Sequence, residues 1–223
     1  MDWEPGDLEV LKKMVDVNDL DFSISLAAVT WLPKEIYRYL FEKYNQHFNL
    51  WVKSKTDSIK EKVCWLIYFL INNITAGIDV NDIKPEVLCA MATSMYPELN
   101  QVAAESINTP SDVLEDLAVN STYKYVRRAA IANPSLPFNT LKFLYKAIKH
   151  STNSDRYSLL CAIMNNPHCP KEIILDLAMD NDFEISKAAK KKLMTMHEIG
   201  EMNYVFYCGP GYSGFRKSAA AGK

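Results

Sequence analysis

Apolar residues recur at spacings of three and four along most of the chain, with polar residues between them. Three prolines set the clearest frames. Pro110, Pro137 and Pro170 each have an apolar residue four positions on (Leu114, Leu141, Ile174) and a leucine seven positions on (Leu117, Leu144, Leu177). That spacing puts both side chains on one face of a helix. Proline at a first helical position is tolerated because its missing N–H would have no partner there anyway. Asp112, Glu115 and Glu172 fall in or near first turns, where the helix dipole favours acids. Each proline therefore predicts a short amphipathic helix, followed by a polar break and a second short helix.

The unit repeats. A shift of 26 positions puts Val113-Leu114 on Val87-Leu88, Leu117-Ala118 on Met91-Ala92 and Ala129-Ala130 on Ala103-Ala104. Downstream, the sequence VRRAA at 126–130 answers to ISKAA at 185–189, and NPSLP at 133–137 answers to NPHCP at 166–170. A fainter echo, at a shift of 103, puts Val10-Leu11 and Met14-Val15 on Val113-Leu114 and Leu117-Ala118. About six repeats result, beginning near Pro5, Pro33, Pro85, Pro110, Pro137 and Pro170, with degenerate material at 45–81. No single unit of this size buries its own apolar face, so neighbours must stack into a continuous core closed by caps.

The NPxxP joint, followed by LxxLA and then VRRAA, resembles the leucine-rich repeat variant family and, more broadly, the HEAT-like α-solenoids. The resemblance covers residues 84–193 and implies an all-α, right-handed solenoid of about six short two-helix repeats, some second helices being 3-10. Residues 1–195 form the expected solenoid, 196–208 a C-terminal cap and 209–223 a flexible basic tail. Some relatives in that family carry a cysteine cluster for an iron–sulfur centre. This chain has no such cluster, so no cofactor is implied.

Composition agrees with one elongated helical domain. Apolar residues make up 48%, and five of the seven glycines fall at or after position 200, leaving few for tight hairpins. The longest apolar run, at 63–71, is far short of the roughly 20 residues that span a bilayer. It reads as a buried helix. The start, MDWEPGDLE, lacks the basic and apolar regions of a secretion signal. Five scattered cysteines do not make a disulfide framework and point to a reducing, cytoplasmic setting. Trp3 is expected to shield the open end of the stack, with a partner contact as the alternative. Tyr37, Tyr39, Phe41, Tyr44, Phe48 and Trp51 are expected in the core, with a partner-binding face as the alternative. Ser54, Thr56 and Ser58 offer helix caps, and HSTNSD at 150–155 reads as a polar insertion between paired helices.

The net charge of −2 is unevenly placed: residues 1–120 hold 10 Lys+Arg against 19 Asp+Glu, and 121–223 hold 15 against 8. Asp16, Asp19 and Asp21 cluster without the glycine and twelfth-position glutamate of a calcium loop. Gly209 to Gly214 match GxGxxG in letters, but no acid follows in the residues that remain. Cys161, His168, Cys169 and His150 have none of the paired spacings of a zinc site. The four histidines show no pairing with a nucleophile, so no catalytic residue and no metal ligand is assigned.

The remaining signal is basic. Lys124, Arg127 and Arg128 open one second helix, Lys187, Lys190, Lys191 and Lys192 occupy the matching helix two repeats later, and Arg216 and Lys217 follow in the tail. If second helices line the concave side, as the HEAT-like resemblance implies, these residues form one stripe. The expected function is a non-enzymatic protein–protein scaffold that grips an acidic partner. The alternative is a nucleic-acid-binding solenoid using the same residues.

Overall fold

A computed structural model of the chain describes residues 4–17, 19–52, 56–152, 154–198, 204–209 and 212–217; at 51–52, 197–198, 204–209 and 212–217 it describes the backbone. Among these residues thirteen α-helices run in order: α1 (Pro5–Val17), α2 (Leu20–Ala27), α3 (Lys34–Gln46), α4 (Phe48–Val52), α5 (Asp57–Asn72), α6 (Pro85–Ala92), α7 (Pro97–Glu105), α8 (Ser111–Asn120), α9 (Lys124–Ala132), α10 (Phe138–Lys149), α11 (Arg156–Asn165), α12 (Lys171–Leu177) and α13 (Phe183–Glu198). A 3-10 turn at Val80–Asp82 precedes α6. The helical class expected from the periodicity holds over this whole span. Among the described residues no helix is long and apolar enough to cross a membrane.

The chain divides into two compact units, Met1–Ala130 and Ile131–Lys223. In the first, α3 packs on α1, α2, α4 and α5; α5 packs on α6 and α7; and α8 packs on both α6 and α7. In the second, α10 packs on α11, α11 on α13, and α13 on α12. The columns found by periodicity form the core. Leu114, Leu141 and Ile174, each four residues after its proline, are at most 1% exposed, and Leu117, Leu144 and Leu177 are buried as well. Ala104, Ala130 and Ala189 are fully buried on the second helices, where a larger side chain would hold neighbouring helices apart.

Two sequence expectations about helix starts change. Pro85 and Pro97 do occupy first-turn positions. Pro33, Pro110, Pro137 and Pro170 instead sit one residue earlier, at the N-cap, with φ between −60° and −55° and ψ between 138° and 143°. There the proline carbonyl accepts the first helical bond, from Leu114 N to Pro110 O and from Leu141 N to Pro137 O at 3.0 Å each. The ring presets the extended entry that an N-cap requires. Thr56 is the N-cap of α5 but makes no side-chain cap bond; Ser54 lies outside the described residues.

Asparagines lock the joints. Asn166, 2% exposed, donates from Nδ2 to the carbonyls of Ile131 and Asn133, both at 2.8 Å, while its Oδ1 accepts from His168 N at 2.8 Å. The Asn of one NPxxP joint thus ties itself to the joint before it. Earlier joints use the same chemistry. Asn108 donates to Asn81 O, and Ile107 N donates to Asn81 Oδ1 at 2.9 Å. Asn45 donates to Asp82 O and accepts from Lys84 N, both at 2.9 Å, which closes the degenerate stretch onto the start of α6. Asn100 Nδ2 lies within 3.0 Å of the carbonyls of Met91, Ala92 and Ser94. Each bond pairs an asparagine side chain with a backbone carbonyl or N–H at a helix end or turn, where the regular helical partners run out.

The C-terminal end departs from the expected cap and tail. Helix α13 continues to Glu198, and β1 (Tyr204–Gly209) pairs antiparallel with β2 (Tyr212–Lys217), placing Phe206 opposite Phe215 and Val205 opposite Arg216. Of the segment expected to be a flexible tail, Gly209 ends β1 and Tyr212–Lys217 form β2. Aromatic and β-branched residues in both segments favour extended pairing. Residues 218–223 and Trp3 lie outside the described residues.

Candidate binding surface

The nine basic residues singled out in the sequence separate by position. On α9, Lys124 and Arg128 are exposed and share a face, being four apart, while Arg127 is half-buried and its Nε is enclosed without a hydrogen-bond partner. Tyr123 and Tyr125 lie beside them, 41% and 36% exposed, with rings 5.9 Å apart and tilted by 43°. This group belongs to the first unit. Lys187, Lys190, Lys191 and Lys192 lie on α13 in the second.

On α13 the four lysines also divide. Lys187 and Lys191 are exposed and continue a lane that starts at Phe183, which is 72% exposed and lies under the Lys187 ammonium at 5.7 Å. Met194, 56% exposed, ends that surface. Lys190 and Lys192 are half-buried, and the Lys192 charge acts on the Cys169 thiol. Helix α11, which packs on α13, adds Tyr157, Ser158 and Cys161 but no lysine. Its one cation, Arg156, is held at 2.5 Å from Asp180 and 3.8 Å from Asp182 and donates from Nε to Lys149 O at 2.8 Å. That pin ties the 150–155 insertion to the start of α13. Arg216 and Lys217 fall in β2, opposite Val205 and Tyr204.

Most of the expected core aromatics are buried: Tyr37 and Tyr44 completely, Phe41 and Phe48 nearly so. Tyr39 is the exception among the described side chains; that of Trp51 lies outside them. It lines an open cleft of about 750 Å³ with Asp16, Glu42, Lys43, His47 and Leu50. Its hydroxyl donates to both Asp16 carboxylate oxygens, at 2.7 and 2.8 Å, and that bond, with burial, pushes its pKa up to about 12. The other two aspartates of the cluster have separate roles: Asp19 caps α2 through Phe22 N at 3.0 Å, and Asp21 meets Lys62 at 2.6 Å. They are capping and pairing groups, not one ion site.

Sequence reasoning missed an aromatic surface on α5. The run at 63–71 buries Val63, Cys64, Leu66, Ile67 and Leu70 as expected. Its opposite face carries Trp65, Tyr68 and Phe69, and Trp65 meets Tyr96 at 5.2 Å between ring centroids. The i, i+3, i+4 spacing of these rings is the signal that marks them as one face.

Burial favours the protonated form of the four thiols among the described side chains. Burial pushes Cys64 and Cys169 up to about 12 and also raises Cys161 and Cys89. His168 is exposed at the joint and His150 at the insertion. Within the GxGxxG match at 209–214, Gly209 ends β1 and Gly214 lies inside β2, whereas a dinucleotide-binding turn leads into a helix. Among the described residues no group of three or more His, Cys, Asp or Glu side chains is arranged to hold a metal ion. No family model, no curated protein and no solved structure matches this chain.

Proposed function

We propose that the chain is a non-enzymatic binding scaffold: a right-handed α-solenoid of about six two-helix repeats that holds an acidic protein partner in a reducing, cytoplasmic setting. The observation that carries this reading is the lane on α13, where Phe183, Lys187, Lys191 and Met194 stand exposed together. Lys187 and Lys191 make no ion pair with a described residue. Ammonium groups flanked by exposed apolar side chains favour a partner that is both anionic and apolar. A joint that bonds to the preceding joint, and helices that pack on the next but one at α1 and α3, α3 and α5, α4 and α6, α5 and α7, α6 and α8, and α11 and α13, support the repeat stacking. Binding in place of catalysis is supported by thiols kept protonated by burial, the wrong state for a nucleophile.

A nucleic-acid partner is the second reading, favoured by Tyr123 and Tyr125 standing beside Lys124 and Arg128. Exposed rings among cations provide stacking and phosphate contacts together. Affinity capture from the source cell with wild type and K187E/K191E tests the first reading: an acidic protein should be retained by the wild type and lost from the variant. Equal retention by both overturns it. Titration of labelled single-stranded oligonucleotide at low salt tests the second; binding should weaken steeply with salt and with R128E. No binding at low salt removes it.

A further inference from the structure

Helix α10 has two sharply different faces. Thr140, Leu141, Leu144, Tyr145 and Ile148 point inward and are buried. The outward face carries Phe138 at 47% exposure, Phe143 at 60%, and the exposed Lys142 and Lys146. The helix has no acidic residue. The Lys142 ammonium lies 5.9 Å from the Phe138 ring centre, and neither Lys142 nor Lys146 makes an ion pair with a described residue. Two large aromatic side chains left in solvent beside two such cations describe a docking face for an anionic, partly apolar surface.

The chain itself carries a surface of that chemistry. Helix α8 buries Leu114, Leu117 and Ala118 and presents Asp112 and Asp116 exposed, Glu115 half-exposed and Val119 at 41% exposure. It has no basic residue. Asp112 and Asp116 are four residues apart, as are Lys142 and Lys146, so each pair spans about 6 Å along its helix. The spacing lets both ion pairs form at once, with Val119 free to meet a phenylalanine. The wider charge has the same sense: residues 1–130 hold 13 Lys+Arg against 19 Asp+Glu, and residues 131–223 hold 12 against 8.

We propose that the outward face of α10 docks the outward face of α8 on a second copy of this chain. Every copy presents both faces, so the contact either closes reciprocally into a two-fold dimer or extends head to tail. The inference does not rest on the scaffold reading, because it uses neither the α9 nor the α13 cations.

Sedimentation velocity of the full chain over a range of concentrations tests it. At about 50 mM salt, association should rise with concentration, and it should weaken at least about tenfold near 500 mM, where the screening length shrinks to a few ångströms. K142E/K146E and D112K/D116K should each lose self-association by about tenfold or more. The altered positions are exposed, and unchanged circular dichroism would show that the fold is kept. An equimolar mixture of the two variants should associate again, since the reversed α10 of one then matches the reversed α8 of the other. A wild type that stays monomeric at all concentrations, association that survives both reversals, or a mixture that fails to recover would each overturn the proposal.

Discussion

Asn166 offers a sharp test of how the repeats hold together. Replacing it with Ala removes three hydrogen bonds of 2.8 Å: two to the carbonyls of Ile131 and Asn133, and one from His168 N. Ile131 is fully buried and Asn133 is 3% exposed, so water does not readily replace the amide at their carbonyls. His168 is exposed, and its N–H recovers a water partner at small cost. A net hydrogen bond is worth about 1 kcal/mol, and the Ile131 carbonyl left unpaired costs about 1–3 kcal/mol, whereas Asn133 O keeps its bond from Leu136 N at 3.1 Å. Together these predict a loss of about 3 kcal/mol for N166A, or a fall in melting temperature of roughly 6–12 °C for a protein of this size.

Asn166→Asp sharpens the test through its sign. The new carboxylate faces two carbonyl oxygens in a buried site, so its folded pKa is raised above the unfolded value of about 3.9. A raised acid contributes most stability below its unfolded pKa and loses it as pH climbs through the folded value. N166D should therefore be less stable than N166A at neutral pH and recover towards it as pH falls near 4. Urea unfolding at several pH values, with N165A on the exposed neighbour as control, reads both effects. A loss under about 0.5 kcal/mol for N166A, or no pH dependence for N166D, would refute the view that this amide locks the joint.

Two further outcomes follow from the same structure. Arg156 and Asp180 are 19% and 7% exposed at their side chains, so R156A leaves a mostly buried carboxylate without its cation and should cost about 2–4 kcal/mol, read by urea unfolding. A double variant with D180A should lose much less than the sum of the two single changes. The raised pKa of Tyr39, about 12 against an ordinary 10, gives stability that is complete below pH 10 and fades as pH rises towards 12. The stability gap between wild type and Y39F should therefore shrink across that window; Cys64 and Cys169 titrate there in both proteins and cancel in the difference.

The sequence makes packing columns visible and hides their connections. Leu114, Leu141 and Ile174 are found by counting from a proline, because a core face imposes a period. The joint motif is equally visible, yet the role of Asn166 is not, since its two acceptors lie 33 and 35 residues back. At 63–71 the lack of polar residues conceals which side is outward, and only the α5 packing separates Leu66 from Trp65. Charge is visible by sign but not by face: Arg127 follows Lys124 by three and precedes Arg128 by one, and it is the one whose guanidinium is partly enclosed. The hairpin at 204–217 is obscured because its glycines and basic residues share their composition with flexible tails.

The proline-led helices show where function has room to change. Four and seven residues after Pro110, Pro137 and Pro170 the side chain is a large aliphatic held in the core. At five and six residues after, it is Glu115 and Asp116 on α8, Lys142 and Phe143 on α10, and Leu175 and Asp176 on α12. These outward positions make no core, so a change of sign there costs little stability, because surface charges contribute at most about 1 kcal/mol each. On α12 the acid is nevertheless committed, since Asp176 accepts from Tyr145 and Lys149 of α10. On α8 and α10 no hydrogen bond or ion pair among the described residues ties Glu115, Lys142 or Phe143 to another helix. Their opposite characters, at positions the core leaves free, are what the proposed docking of α10 on α8 requires, and reversing them should change association while leaving the buried columns as they are.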